Sequence, residues 1–512
     1  MPKLISNNFL NKQTISILLG LVIFFLIIIF GELDAENPLV TYAFAVAALM
    51  AFWWITEAIP LAITSLLPIV LFPLLGVMDG KDVSSAYFNH VIFLFIGGFI
   101  VALAMQKWNL HKRIALKILL FTGVSPGRIL LGFMLAPSFL SMWISNTATT
   151  MMMVPILISI IGKLEETIGK KEISKYSIGL LLGVAYSASI GGIATLVGTP
   201  PNLSFSRIFQ IMFPEAPEIS FANWFFFALP VSVIFFVIVW VFLYYRFNPG
   251  KEKWKAVSSD SIKNQYEELG KITYEEKIIF IDFIALAVLW LTRSNIVIGN
   301  FTLPGWSNLF ADASYLNDGT VAIAMSILLF LIPSKTNKGK SLMDWKTTAK
   351  LPWHIVLLFG GGFALATGFK ESGLSLWFGE QLSWIVNLHP ILIIAIIAFM
   401  MTFVTELTSN TATTEMLLPV LAGLSISTQI NPLLFMLPAT LSGSMAFMLP
   451  VATPPNAIIF GTNRIRIIDM ARTGLLLNLI GVIIITLATY FIGSYIFDID
   501  VNVFPDWAAS GQ

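Results

Sequence analysis

The sequence predicts an all-α polytopic membrane protein: 11 transmembrane spans plus two re-entrant helical hairpins, laid out as two inverted repeats. Three observations carry that prediction. Hydrophobic residues make up 57 % of the chain and charged residues only 12 %, with a mean hydropathy of +0.83; a soluble domain carries about twice that charge. Stretches approaching the roughly 20 apolar residues needed to cross a bilayer recur along the chain, beginning with Ile15–Phe30. The hexapeptide SNTATT occurs twice, at Ser145–Thr150 and Ser409–Thr414, each copy between apolar runs. Each copy follows a glycine-rich stretch (Ile92–Phe99, Ile355–Phe363) and precedes a Thr-Pro-Pro-Asn element (Gly198–Asn202, Ala452–Asn456).

In chain order, an N-terminal tail and first span occupy 1–38. A first repeat follows over 39–245, with a hairpin at 126–162 and a broken helix at 177–213. A polar cytoplasmic linker covers 246–277. The second repeat covers 278–497, with a hairpin at 390–423 and a broken helix at 432–460, and 498–512 form an external tail. Spans are expected near 15–31, 39–57, 60–76, 91–106, 177–213, 222–245, 278–292, 318–333, 353–369, 432–460 and 474–497. With the N-terminus cytoplasmic, this arrangement puts 26 of the 30 basic residues inside, as the positive-inside rule requires. The glycine-rich spans then run in opposite directions, which makes the repeats inverted. Amphipathic segments at His111–Phe121 and Leu374–Leu388 are expected along the interfaces. The first span lacks a small-residue cleavage pattern and reads as retained. A net charge of +1 argues against nucleic acid, and the absence of cysteine removes disulfides and thiolate metal sites.

The polar runs carry the chemistry. Non-helical backbone at membrane depth is tolerated only where it is buried in protein or lines a cavity. Ser-Asn-Thr suits a hairpin tip: Ser and Asn cap the following helix, and their oxygens are hard ligands for a small cation. The helix that begins there aims free amides back at the tip, a site for a carboxylate. Thr-Pro-Pro-Asn is complementary. Two prolines break the span, freeing carbonyls near Gly198 and Ala452, and a new half-helix starts with proline at its first turn. No Lys, Arg or His lies in or beside these elements until Arg207. An anion held there must therefore be neutralised by helix termini and co-bound cations, the basis for coupled transport.

These duplicated elements, their order and the inverted halves resemble the divalent anion/sodium symporter family over nearly the whole chain. That resemblance implies sodium-coupled transport of a dicarboxylate, citrate or sulfate by a homodimer in a cell membrane, with a transport domain moving elevator-fashion against a scaffold of spans one to four and seven to nine. It places one sodium site at Ser141, Ser145, Asn146 and the Gly198 carbonyl, and a second at Thr405, Thr408, Asn410 and the Ala452 carbonyl. Substrate carboxylates would meet Asn146, Thr147, Asn410 and Thr411, walled by Thr199, Pro200, Thr453 and Pro454. The family also contains anion exchangers, so exchange stands beside symport.

Other readings weigh less. A polar cluster in a single helix is commonly interhelical glue, but two identical hexapeptides, each with a helix-breaking partner, are not explained that way. A channel wants a continuous polar path, whereas here polarity is confined to paired patches. An enzyme needs a nucleophile with a base in reach, and the histidines at 90, 111, 354 and 389 all fall at span ends. Glu406 is expected to tune the second cation site, carry a proton, or bond free amides; Glu415 is a second acid at membrane depth. Glu57 reads as interfacial. The expected protein is an importer of a small divalent anion, foremost a C4-dicarboxylate such as succinate, coupled to sodium.

Overall fold

Helix is the default wherever lipid denies the backbone its water partners, and the computed structural model of the chain is mostly helix. It describes residues 12–248, 260–298, 301–382, 384, 388–501 and 503–509. The far N-terminus, the centre of the polar linker and the last three residues lie outside that set. The first half contains α1 (Lys12–Phe30), α2 (Pro38–Thr56), the short α3 (Leu61–Thr64), α4 (Leu67–Leu74) and α5 (Gly80–Ser85), then α6 (His90–Lys107) and α7 (Leu110–Thr122). The first hairpin is α8 (Pro126–Ser141) and α9 (Asn146–Ile168). The first broken helix is α10 (Lys170–Gly192) and α11 (Pro200–Met212), and α12 (Phe221–Phe247) closes the half.

The second half runs through α13 (Asp260–Glu268), α14 (Tyr274–Leu291), a small antiparallel pair β1 (Ile296–Ile298) and β2 (Phe301–Leu303), α15 (Asp318–Leu331), α16 (Trp345–Thr348), α17 (Trp353–Ser372) and α18 (Leu374–Gln381). Its hairpin is α19 (Pro390–Val404) and α20 (Asn410–Thr428), and its broken helix is α21 (Leu433–Ser442) and α22 (Pro454–Phe460). The helices α23 (Ile467–Ala488), α24 (Ser494–Ile496) and α25 (Asp506–Ala509) finish the chain. Among the described residues, eight helical segments are long and apolar enough to cross a membrane. They include α9, which by length alone could span. Apolar faces of α1, α12 and α23 (Phe25, Val237 and Ile483 among their residues) point outward, as expected of surfaces that meet lipid.

The two glycine-rich helices are used for close approach. A methyl group on Gly97 of α6 would fall 2.6 Å from the Ala322 Cβ of α15. Its counterpart 264 residues later, Gly361 of α17, would meet Ser65 on the segment after α3 at 2.5 Å. Each helix therefore lies nearly backbone-to-backbone against a short helix of the other half (α6 on α15) or of the opposite end (α17 on α3).

The amphipathic segment expected at 111–121 is α7, and one buried ion pair fixes it. Arg113 Nε lies 2.7 Å from Glu276 Oε1 and its Nη2 3.1 Å from Oε2, with both side chains under 9 % exposed. The same guanidinium donates to the carbonyls of Leu269 and Gly270. Glu276 in turn completes a capping box with Thr273 at the start of α14. The pairing with Glu276 holds the Arg113 guanidinium above its ordinary pKa. Removing one partner of a buried pair leaves the other charge uncompensated, at about 3–5 kcal/mol. Arg113→Ala is expected to lower the melting temperature of the purified protein markedly and Arg113→Lys by less, because an ammonium cannot reproduce the fork; equal melting of all three would contradict this.

Candidate functional site

Both expected helix breaks fall where the prolines put them. α11 starts at Pro200 and α22 at Pro454, each in the first helical turn, with extended Thr199 and Thr453 before them. The upstream helices stop at Gly192 and Ser442, leaving irregular backbone over 193–199 and 443–453. Each half-helix packs across the pseudo-repeat: α22 lies against α9 and α10, and α11 against α20 and α21. Hydrogen bonds tie each tip to the broken helix of its own half, through Thr195 to Met142 and Thr405 to Gly443.

The freed backbone groups can be followed one by one, because buried ones need partners. Asn202 Nδ2 donates to Thr195 O at 2.7 Å and sits 3.4 Å from Gly192 O. Asn456 Nδ2 donates to Leu449 O and Ala446 O, both at 3.0 Å. These are the same two offsets, seven and ten residues upstream, in both copies. Ser232 Oγ donates to Ile190 O and Trp224 Nε1 to Ile193 O. Tyr186 O–H donates to Phe447 O. The amides of Phe447, Met448 and Leu449 donate to the Glu406 carboxylate at 2.7, 2.8 and 3.0 Å, and Asn478 Nδ2 adds a fourth bond at 2.7 Å. Of the roles open to Glu406, bonding to free amides is the one its contacts fill.

What these bonds leave over is the candidate site. In the first half, the side chain of Asn146 and the carbonyls of Gly192, Gly198 and Ser141 converge. A methyl on Gly192 would sit 2.7 Å from Asn146 Oδ1 and 3.2 Å from Gly198 O, and one on Gly198 would sit 2.9 Å from Ser141 O. Asn146 Oδ1 and Ser141 Oγ are buried without a hydrogen-bond partner among the described residues. Ser145 caps α9 through Ala148 N, and Thr195 Oγ1 ties the tip to the broken helix through Met142 O. Thr147 is half-buried, Thr199 buried and Pro200 half-buried.

The second half is built alike but wired differently. Thr405 Oγ1 lies 2.6 Å from Asn410 Oδ1 and 3.0 Å from Gly443 O; one hydroxyl proton can satisfy only one of those oxygens. Thr408 Oγ1 donates to Val404 O and pairs with Thr413. The carbonyl brought to Thr405 is that of Gly443, while Ala452 is buried at the far end of the irregular segment. The expectation that serine caps both tip helices holds only for Ser145, because Ser409 makes no cap. At this tip the polar contacts instead run inward, from Thr405 to Asn410 and the Gly443 carbonyl. Thr411 and Thr453 are buried, and Pro454 is exposed. Both donor sets, made of hydroxyl, amide and carbonyl oxygens, suit a hard monovalent cation, and the unpartnered Asn146 and Ser141 oxygens fit one. Among the described residues no cluster of His, Cys, Asp and Glu could hold another metal.

Sequence reasoning assigned no role to Asn202, Asn456, Thr195 or Asn478. A signal for the first two was present, since both close their Pro-Pro motif at the same offset.

Two substitutions separate site from support. Gly198→Ala places a methyl against the Gly192 and Ser141 carbonyls, and overpacking costs about 1–3 kcal/mol. The sodium concentration needed to stabilise the protein against heat is expected to rise about tenfold or more. Glu406→Ala strands the buried amide of Phe447, at about 1–3 kcal/mol, and the half-buried amides of Met448 and Leu449 at less. It is expected to lower the melting temperature in the presence and absence of sodium alike; a loss seen only with sodium would make Glu406 part of the cation site.

Residues 11–498 match the family described as the sodium:sulfate symporter transmembrane region. The chain is 43 % identical over 495 residues to the sodium-dependent dicarboxylate transporter SdcS of Staphylococcus saprophyticus, covering 96 % of this chain and 93 % of that one. It is 44 % identical over 499 residues to SdcS of Staphylococcus aureus strain MRSA252, covering 96 % and 94 %. Among solved structures, the Alcanivorax borkumensis YdaH transporter aligns with a TM-score of 0.52 at 14 % identity, over 83 % of this chain and 89 % of that one. The Neisseria gonorrhoeae antimetabolite efflux pump MtrF aligns at 0.55 and 12 %, over 97 % and 96 %; at such identities the likeness is one of fold. The family match over almost the full length, on a helical membrane scaffold with two SNT tips and two Pro-Pro breaks, shows that this chain belongs to the sodium:sulfate symporter family of transporters and is not an enzyme.

Proposed function

We propose that the protein is a sodium-coupled importer of a small divalent anion, foremost a C4-dicarboxylate such as succinate. The observation that carries the reading is the first tip: buried Asn146 and Ser141 oxygens without partners among the described residues, beside freed carbonyls and the N-terminus of α9. Sodium dependence and dicarboxylate as substrate are in the names of relatives 43–44 % identical. Cation-binding oxygens and anion-binding amides share Asn146 at one tip and Asn410 at the other, so filling the cation sites completes the dianion site. Ser141, Ser145, Asn146 and Gly198 would hold one sodium ion; Thr405, Thr408 and Asn410, with the Ala452 carbonyl expected from the family and the Gly443 carbonyl brought close by the fold, would hold the second. Thr147, Thr199, Pro200, Thr411, Thr453 and Pro454 would line the dianion.

The assembly proposed around this site is a homodimer in the cell membrane, with 11 spans, two inverted repeats (39–245 and 278–497) and a cytoplasmic N-terminus. Hairpins, broken helices, α12 and α23 would move elevator-fashion against the scaffold of spans one to four and seven to nine. Each tenfold sodium gradient supplies about 1.4 kcal/mol per ion. Any net positive charge moved inward adds about 2.3 kcal/mol per 100 mV.

The deciding experiment is labelled succinate uptake into empty proteoliposomes under an inward sodium gradient, repeated with potassium. Uptake that needs sodium and no internal anion is expected. Uptake only into dicarboxylate-loaded vesicles would replace symport with exchange and remove the sodium sites, and none under either condition would turn the search to sulfate or citrate. Asn146→Ala and Asn410→Ala are each expected to abolish sodium-dependent uptake in a protein that still folds; retained uptake in either would remove that residue from the site.

A further inference from the structure

Glu415 lies one helical turn beyond Thr411 on α20, is fully buried, and takes no part in the site described above. Its Oε1 lies 3.0 Å from Ser204 Oγ on α11, and its Oε2 has no hydrogen-bond partner among the described residues. The glycine-rich α17 makes room for it: a methyl on Gly362 would fall 2.5 Å from Oε2 and 2.6 Å from Cγ. The matching position in the first half, 264 residues earlier, is Met151, which is 61 % exposed. The carboxyl is therefore a feature of one hairpin only, seated in a notch that belongs to another element.

The groups that could balance a charge there can be named. On α11 the nearest is Arg207, which contacts Gln210. On α17 they are His354, Lys370 and Glu371, each eight or nine residues from Gly362, roughly 12 Å along the axis. Lys370 is already bonded to Ile211 O. α18 carries Glu380, α2 carries Tyr42, and α21 carries none. Tyr87 is close enough to feel the charge of Glu415, but its hydroxyl donates to Ser65 O. Among the described residues no ion pair or hydrogen bond joins a cation to the carboxyl, whose one hydrogen-bond partner is the Ser204 hydroxyl. An ionised, half-bonded carboxylate in such a place is strongly disfavoured, whereas a neutral acid fits.

We propose that Glu415 is a proton-binding site at the sliding interface of the transporter. The carboxylate takes one proton when α20 docks on Gly362 and gives it up when the hairpin leaves the notch. This rests on the elevator reading, in which α20 and Ser204 move together and α17 stays with the scaffold. Protons then favour the docked arrangement, by up to tenfold per pH unit for a single group.

The test compares the wild-type protein with Glu415→Gln, which keeps the shape and cannot ionise. Sodium-driven succinate uptake would be followed between about pH 6 and 8.5, above the ordinary range of a free carboxyl, with equal pH on both sides. Infrared difference spectra of both proteins in detergent would be taken over the same range. The wild-type uptake should vary several-fold beyond what the glutamine variant shows, and the wild type should carry a carboxylic-acid C=O band that the variant lacks. Superimposable pH profiles would overturn the coupling, and no acid band assignable to Glu415 would overturn the site itself. If neither protein moves succinate, the proposed function fails while the infrared measurement still decides the protonation of Glu415.

Discussion

Everything in this molecule that is not plain helix depends on one constraint: backbone amides and carbonyls taken out of water must find partners inside the protein. Two Pro-Pro pairs break two helices that would otherwise have satisfied themselves. The fold answers with Asn202 and Asn456 on the carbonyl side, Glu406 on the amide side, and Ser232, Trp224 and Tyr186 reaching in from neighbouring helices. The cost of irregular backbone is thereby confined to a few atoms.

Those few atoms frame the proposed site. Its place next to Thr405 would tempt a reading of Glu406 as a cation ligand, yet its oxygens are engaged by four donors. Neutral oxygens of Asn146 and Ser141 at the first tip, and of Ser442 and Ser444 at and just after the end of α21, are by contrast among those left open in the described residues. Neutral donors bind a monovalent cation without holding it against release, and they leave the anion's charge to be balanced by ions that travel with it. An Arg at the same place would bind the anion whether or not sodium was present, and coupling would be lost.

The two halves share a plan without sharing every contact. Trp143 at the first tip packs edge-on to Phe283 of α14 at 5.0 Å, while Leu407, its counterpart by the 264-residue offset, is 71 % exposed. Met151 is open where Glu415 is sealed. In the proposed inverted-repeat, elevator arrangement two copies facing opposite directions in one conformation would not be equivalent at their interfaces, and differences of this kind are what a sliding unit would exchange as it moved.

The sequence by itself determined the helical membrane class, the duplication and the start of α11 and α22, because each rests on local chemistry: apolar composition, exact repetition, and the missing amide of proline. Asn146 and Asn410 could be chosen for the same reason, as the polar residue at a repeated tip. The tertiary structure alone decided which carbonyls face them. Gly443 reaches Thr405 across 38 residues, Glu406 finds its amides 41 to 43 residues away, and Ser204 meets Glu415 across 211. No periodicity encodes such pairings. They follow from packing between helices remote in sequence, α19 against α21 and α23 and α11 against α20, with Gly362 of α17 leaving the room that Glu415 fills.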